Sequence, residues 1–176
     1  MGFNMDKRWI AILVIIILAV CCGYLVISSS NTVGSAIVDV NKSTVTLPPD
    51  FSIIGSESNN VDLLKKSTSE GIFIKDLGKI NNTKELFNNK LDYFLMTGDI
   101  EILDKQTNLT DEYDCYAIYY QNLSDMQSAN QSFVYVFKYN HSYLVKFSGY
   151  SDFNQMNRDL DVVVNTLKLD YKKSQE

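Results

Sequence analysis

Nineteen consecutive residues near the start of the chain, Trp9 to Ile27, carry no charge, and all but Gly23 are apolar. At helical rise such a run spans about 28 Å, which matches the hydrocarbon core of a bilayer. The uncharged stretch continues to Val38, and Lys7 and Arg8 flank its N-terminal side. By the positive-inside rule the N-terminus is expected to stay cytoplasmic and the remainder to face out. Trp9 and Tyr24 lie near the two ends of the run, where amphipathic rings favour the interface.

Three readings of this run compete. It reads first as a retained signal anchor, embedding residues 9–27 in the lipid bilayer as a single pass of the cell membrane. A cleaved signal peptide normally has a shorter apolar region and a small-residue cleavage site, which this sequence lacks. Leu18-Ala19-Val20-Cys21 resembles a bacterial lipobox, with Val20 where a smaller residue usually stands. All three readings export the rest of the chain. The expected partition is a cytoplasmic N-terminus (1–8), a transmembrane signal anchor (9–27), a linker (28–42), an extracytoplasmic α+β domain (43–171) and a tail (172–176).

The 176 residues include 12% aromatic side chains, which argues against disorder. A formal charge of −5 disfavours nucleic acid as a partner, because phosphate recognition needs a basic footprint. Six Asn-x-Ser/Thr triplets begin at Asn41, Asn81, Asn108, Asn122, Asn130 and Asn140, all on the expected outside. They are glycosylation candidates, since a turn accepts a bulky glycan without unfolding.

From Ser43 onward the pattern becomes alternating and aromatic. It predicts strands at 43–47, 51–54, 61–66 and 72–77, with a hairpin turn at 67–71. Asn82 and Glu85 form a cap pair for a helix whose apolar face is Phe87, Leu91, Phe94 and Leu95, stopped by Gly98. Strands follow at 100–105, 113–120, 132–139 and 142–147, the last two joined by a tight turn at Asn140-His141. Ser151 is expected to cap a final helix with the face Phe153, Met156, Leu160, Val163, Val164 and Leu167, aided by Asp152 in its first turn and Lys168 in its last. Consecutive strands joined by short turns make an antiparallel sheet, here packed with two amphipathic helices, so the fold class is α+β.

The segment Val45-Thr46-Leu47-Pro48-Pro49-Asp50-Phe51, followed by such a sheet and a C-terminal amphipathic helix, resembles the PsbP/Mog1-like superfamily of α/β/α domains. The Asn-, Asp-, Lys- and Tyr-rich style is also similar to small membrane-anchored proteins of unknown function in methanogenic archaea. The resemblance covers Val45 to about Leu169. It implies a binding or assembly factor rather than an enzyme, with no catalytic motif to transfer.

The residues themselves offer little catalysis. His141, the single histidine, reads as a solvated turn residue. Cys115 reads as a buried strand residue without a disulfide partner in the domain. Asp99, Glu101 and Asp104, and again Asp111, Glu112 and Asp114, read as solvated charge; convergence of Asp99 with Asp111 would instead permit two-carboxylate chemistry. No metal site or cofactor is expected.

The most suggestive pattern is aromatic. Phe133, Tyr135, Phe137 and Tyr139 alternate along one strand, Tyr143 lies on the next and Tyr119 on another. If the helices cover only one sheet face, these residues form an exposed Tyr-rich binding surface for a protein or glycan of the envelope; otherwise they pack beneath the helices. The expected function is thus a membrane-anchored, non-catalytic binding or envelope-assembly domain. An acidic-site hydrolase or metal-dependent enzyme, and a structural envelope spacer, are the alternatives.

Overall fold

Period-two burial governs most of the domain, as the sequence requires of strands with one face on a core. The computed structural model describes residues 36–65, 67–80, 82–124 and 129–169. The anchor 9–27, the linker residues 28–35, the sequon at Asn81 and the tail 172–176 lie outside the described residues. Among the described residues no helix is long and apolar enough to cross a membrane.

The elements run β1 (Ile37–Val40), β2 (Ser43–Thr46), β3 (Phe51–Glu57), β4 (Asn60–Lys65), β5 (Gly71–Gly78), α1 (Thr83–Thr97), β6 (Ile100–Leu109), β7 (Tyr113–Asn122), β8 (Asn130–Lys138), β9 (His141–Tyr150), α2 (Phe153–Thr166) and β10 (Lys168–Leu169). Seven strands form one antiparallel sheet in the order β3-β4-β5-β9-β8-β7-β6, and β1-β2-β10 form a small second one. The α+β class with two helices is as expected. β1 falls within the stretch expected to be linker: Val38 and Val40 are buried in the main core.

The two helices take opposite faces of the large sheet. One face carries Val61, Leu63, Ile72, Ile74, Val134, Val136, Tyr143, Val145 and Phe147, packed with Met156, Leu160, Val163 and Val164 of α2 and with the small sheet. Each such side chain contributes about 1.5–3 kcal/mol through burial. The other face carries Tyr116, Ile118, Tyr120 and Tyr135 beneath Phe87 and Phe94 of α1.

Local chemistry fixes the element ends. Asn82 caps α1, its side chain accepting the Glu85 amide, and Gly98 ends it in the left-handed conformation. Asp152, rather than Ser151, caps α2 through the Asn154 amide. Lys168 lies beyond α2 in β10. Lys138 of β8 instead serves the C-terminal end of α2, its buried Nζ donating to the Val164 carbonyl at 2.9 Å. The β8–β9 turn is Tyr139-Asn140, both with positive φ, as a two-residue hairpin of the mirror-image type requires. The turn therefore lies one residue earlier than expected, and His141 becomes the first residue of β9.

Both edge strands slip register by one residue, β3 at Ile54 and β6 at Leu103. Such bulges twist an edge away from further pairing.

Candidate functional site

Helix α1 makes its main contacts with β6, β7 and β8, with Leu77 at the end of β5 against its cluster. The uncovered half of that face is a trough of about 390 Å³ running from Tyr120 and Phe133 at the helix side to Ile54 at the sheet edge. Its floor follows from strand register. Asp62 pairs with Phe73, Phe73 with Lys146, and Lys146 with Phe133, so four side chains from four strands form one straight row.

The row alternates in chemistry. Lys146 Nζ lies 4.4 Å from the centre of the Phe73 ring and 5.5 Å from that of Phe133. Lys90 reaches over from α1, with Nζ 4.4 Å from the Phe133 centre and 4.5 Å from those of Tyr93 and Phe94. Two ammonium groups thus flank one ring. Neither has a carboxylate within ion-pair distance among the described residues. Burial first, and then repulsion from Lys146, push the Lys90 pKa down. At the far end of the row Asp62 turns its carboxylate toward Gly55 of β3. Aromatic faces favour cations electrostatically, which explains how the lysines settle here with no anion beside them.

The aromatic candidates divide among four environments. Phe133 is half-buried in the trough. Tyr135 is buried on the α1 face, and the half-buried Phe137 follows it at period two along β8. Tyr119 and Tyr143 are buried on the opposite face, Tyr119 against Phe153 of α2 and Tyr143 with its hydroxyl 2.6 Å from Ser43 Oγ. Tyr139 is an exposed turn residue. They do not form one surface, because each helix covers a different set. Asp62, Phe73, Lys90 and Lys146 were not singled out in the sequence. Their signal is weak but present: Asp62, Phe73 and Lys146 alternate with core residues in β4, β5 and β9, whereas Lys90 lies on α1.

The acidic clusters stay apart. Asp99, Glu101 and Asp104 sit near the start of β6, whereas Asp111, Glu112 and Asp114 surround the β6–β7 turn, lining a shallow hollow of about 190 Å³ with Lys138. Asp99 and Asp111 therefore do not converge. Among the described residues no group of three or more His, Cys, Asp or Glu side chains is placed to hold a metal ion.

His141 is buried rather than solvated. Its Nδ1 lies 3.3 Å from both carboxylate oxygens of Asp76, which also accepts from the Gly78 amide at 2.7 Å and the Asn41 side-chain amide at 2.9 Å. The one-residue turn shift produces this, pointing His141 to the core side of β9. Cys115 is buried, as expected, and burial and then Asp161 push its thiol up to about 12, opposing thiolate chemistry.

The sequons differ in how free their amides are. Asn41 donates to buried Asp76 and Asn108 to the Tyr113 hydroxyl at 3.4 Å, Asn122 and Asn130 accept local hydrogen bonds, and Asn140 is exposed.

Comparison with family models and with curated proteins returns no match. Among solved structures, the chain is similar to the solution structure of cyanobacterial PsbP (CyanoP) from Synechocystis sp. PCC 6803, with a TM-score of 0.54. Identity is 11%, over 78% of this chain and 95% of that one. The domain is PsbP-like in fold, as the Leu-Pro-x-x-Phe segment and element order suggested; at this identity the likeness concerns the fold alone.

Proposed function

We propose that this chain is a single-pass membrane protein displaying a non-catalytic, PsbP-like binding domain outside the cytoplasm, and that it holds a protein or glycan component of the envelope in the trough. The observation that carries the reading is the half-covered sheet face. Apolar side chains left open there, Phe73, Phe133, Ile54 and Leu64, cost free energy in water, which supports an occupant. The uncharged run Trp9–Ile27 supplies the anchor.

A photoreactive benzoylphenylalanine in place of Phe73, in the full chain in intact cells, tests both parts. The expected result is a discrete cross-linked adduct that the same group at exposed Asp161 does not form. Protease added outside the cells should trim the C-terminal domain. Equal labelling from both positions, or a domain protected until lysis, would overturn the reading.

A further inference from the structure

The trough's chemistry narrows what it takes, an inference that rests on the binding reading above. We infer that its occupant is an extended acidic peptide segment, laid across the strands with its carboxylates toward Lys90 and Lys146.

Three observations carry this. First, Lys90 and Lys146 both stand over Phe133 with no carboxylate partner among the described residues. A carboxylate beside either of them would offset their mutual repulsion and accept a charge-assisted hydrogen bond. Secondly, both lysines are half-buried against rings, Lys146 within the trough and Lys90 over Phe133 at its α1 edge, so neither charge protrudes. A recessed charge pair suits a group that enters, whereas a flat lipid surface needs protruding ones. Thirdly, the lining residues come from β7, β8, β9, β5, β4 and β3, successive strands of the sheet. Five interstrand steps amount to about 24 Å. A small organic anion covers one end of that length, while about seven extended residues cover it all. Asp62 at the opposite end repels a second acidic group there, which sets the direction: acidic end toward α1, apolar end toward Ile54.

Calorimetric titration of the full chain in a non-ionic detergent tests this. The probe is the capped heptapeptide Val-Ser-Val-Ser-Val-Glu-Glu. Its counterparts are the same peptide ending in Lys-Lys, and benzoate as a small aromatic anion. The acidic peptide should bind, weaken with added salt, and lose about tenfold in affinity in the Lys90→Gln, Lys146→Gln double variant, the sum of two partly screened charge contacts. Lys146→Glu should reverse the preference toward the Lys-Lys peptide. Thermal unfolding of each variant checks that it is folded. No binding of the acidic peptide, equal binding of the Lys-Lys peptide, or benzoate binding as tightly as the peptide would overturn the inference. If the acidic and Lys-Lys peptides bind equally and Phe73→Ala abolishes both, the trough remains the binding site and only the acidic specificity fails.

Discussion

Lys146 stands directly opposite Phe73 across the β5–β9 pair, its ammonium 4.4 Å from the centre of the ring. The same side chain pairs with Phe133 on its other flank. Its charge is therefore felt by Lys90, which shares Phe133. In Lys146→Met the stem still covers the rings, so stability should change by less than about 1 kcal/mol. The Lys90 pKa should rise, because one of its two depressing causes disappears, yet stay below the ordinary lysine value because burial persists. Titration of the Lys90 Cε resonance by NMR checks the sign; an unchanged value would break the link between the two lysines.

Asp76 gathers three donors in the core, from His141, Gly78 and Asn41. Asp76→Ala leaves the buried His141 and the Gly78 amide without their shared acceptor. A loss of about 2–4 kcal/mol in urea unfolding is expected, and a loss below about 0.5 kcal/mol would contradict the packing described.

Asp159 is buried, accepting from Tyr150 Oη at 2.9 Å and from Gln155 at 2.8 Å. Burial raises its pKa despite these bonds. A carboxyl whose folded pKa lies above its unfolded one binds its proton more tightly in the native state. Its contribution is then fullest below the unfolded value, near 3.8, and falls as pH climbs through the folded value. Asp159→Asn should therefore be more stable than the parent at neutral pH, with the gap closing on acidification. Denaturant midpoints at neutral pH and below the unfolded value near 3.8 give the comparison.

Cys115 should resist iodoacetamide at mild alkaline pH in the folded chain and react once it unfolds, since burial holds the thiol up at about 12. Peptide-resolved mass spectrometry separates it from Cys21 and Cys22. Rapid native labelling would place the thiol at the surface.

Gly149 has φ +76°, and a Cβ there would lie 2.4 Å from the Ser69 carbonyl oxygen. Ser69 helps to line the trough. Gly149→Ala should destabilise by several kcal/mol, about 3 from strain and clash together. It should also weaken any trough ligand more than a distant variant of equal stability cost does, measured by the calorimetry above.

Much of this fold was legible in residues close together in sequence. The Asn82–Glu85 pair and Gly98 bracket α1, and alternation marks β4, β5, β7, β8 and β9. Errors arose where hydrophobic signal thins. Residues 37–40 were read as linker because four residues make too short a pattern, though Val38 and Val40 alternate. The second half of β6, Gln106–Leu109, is an exposed edge and shows no period. The turn at Tyr139-Asn140 was misplaced because Tyr is a poor candidate for positive φ, and that single step hid the His141–Asp76 contact. The trough itself was only partly visible, through Phe133. Its row joins residues from 62 to 146, brought side by side by three separate pairings, and the gap in helical cover depends on where α1 lands.

The slips at Ile54 and Leu103 give the sheet two ends that will not accept another copy. If the chain is anchored as proposed, molecules crowded side by side in a plane of lipid would remain individuals instead of growing into a ribbon through this sheet. An occupant of the trough would then lie on the broad side and cross the grain, and could leave without any strand being torn out.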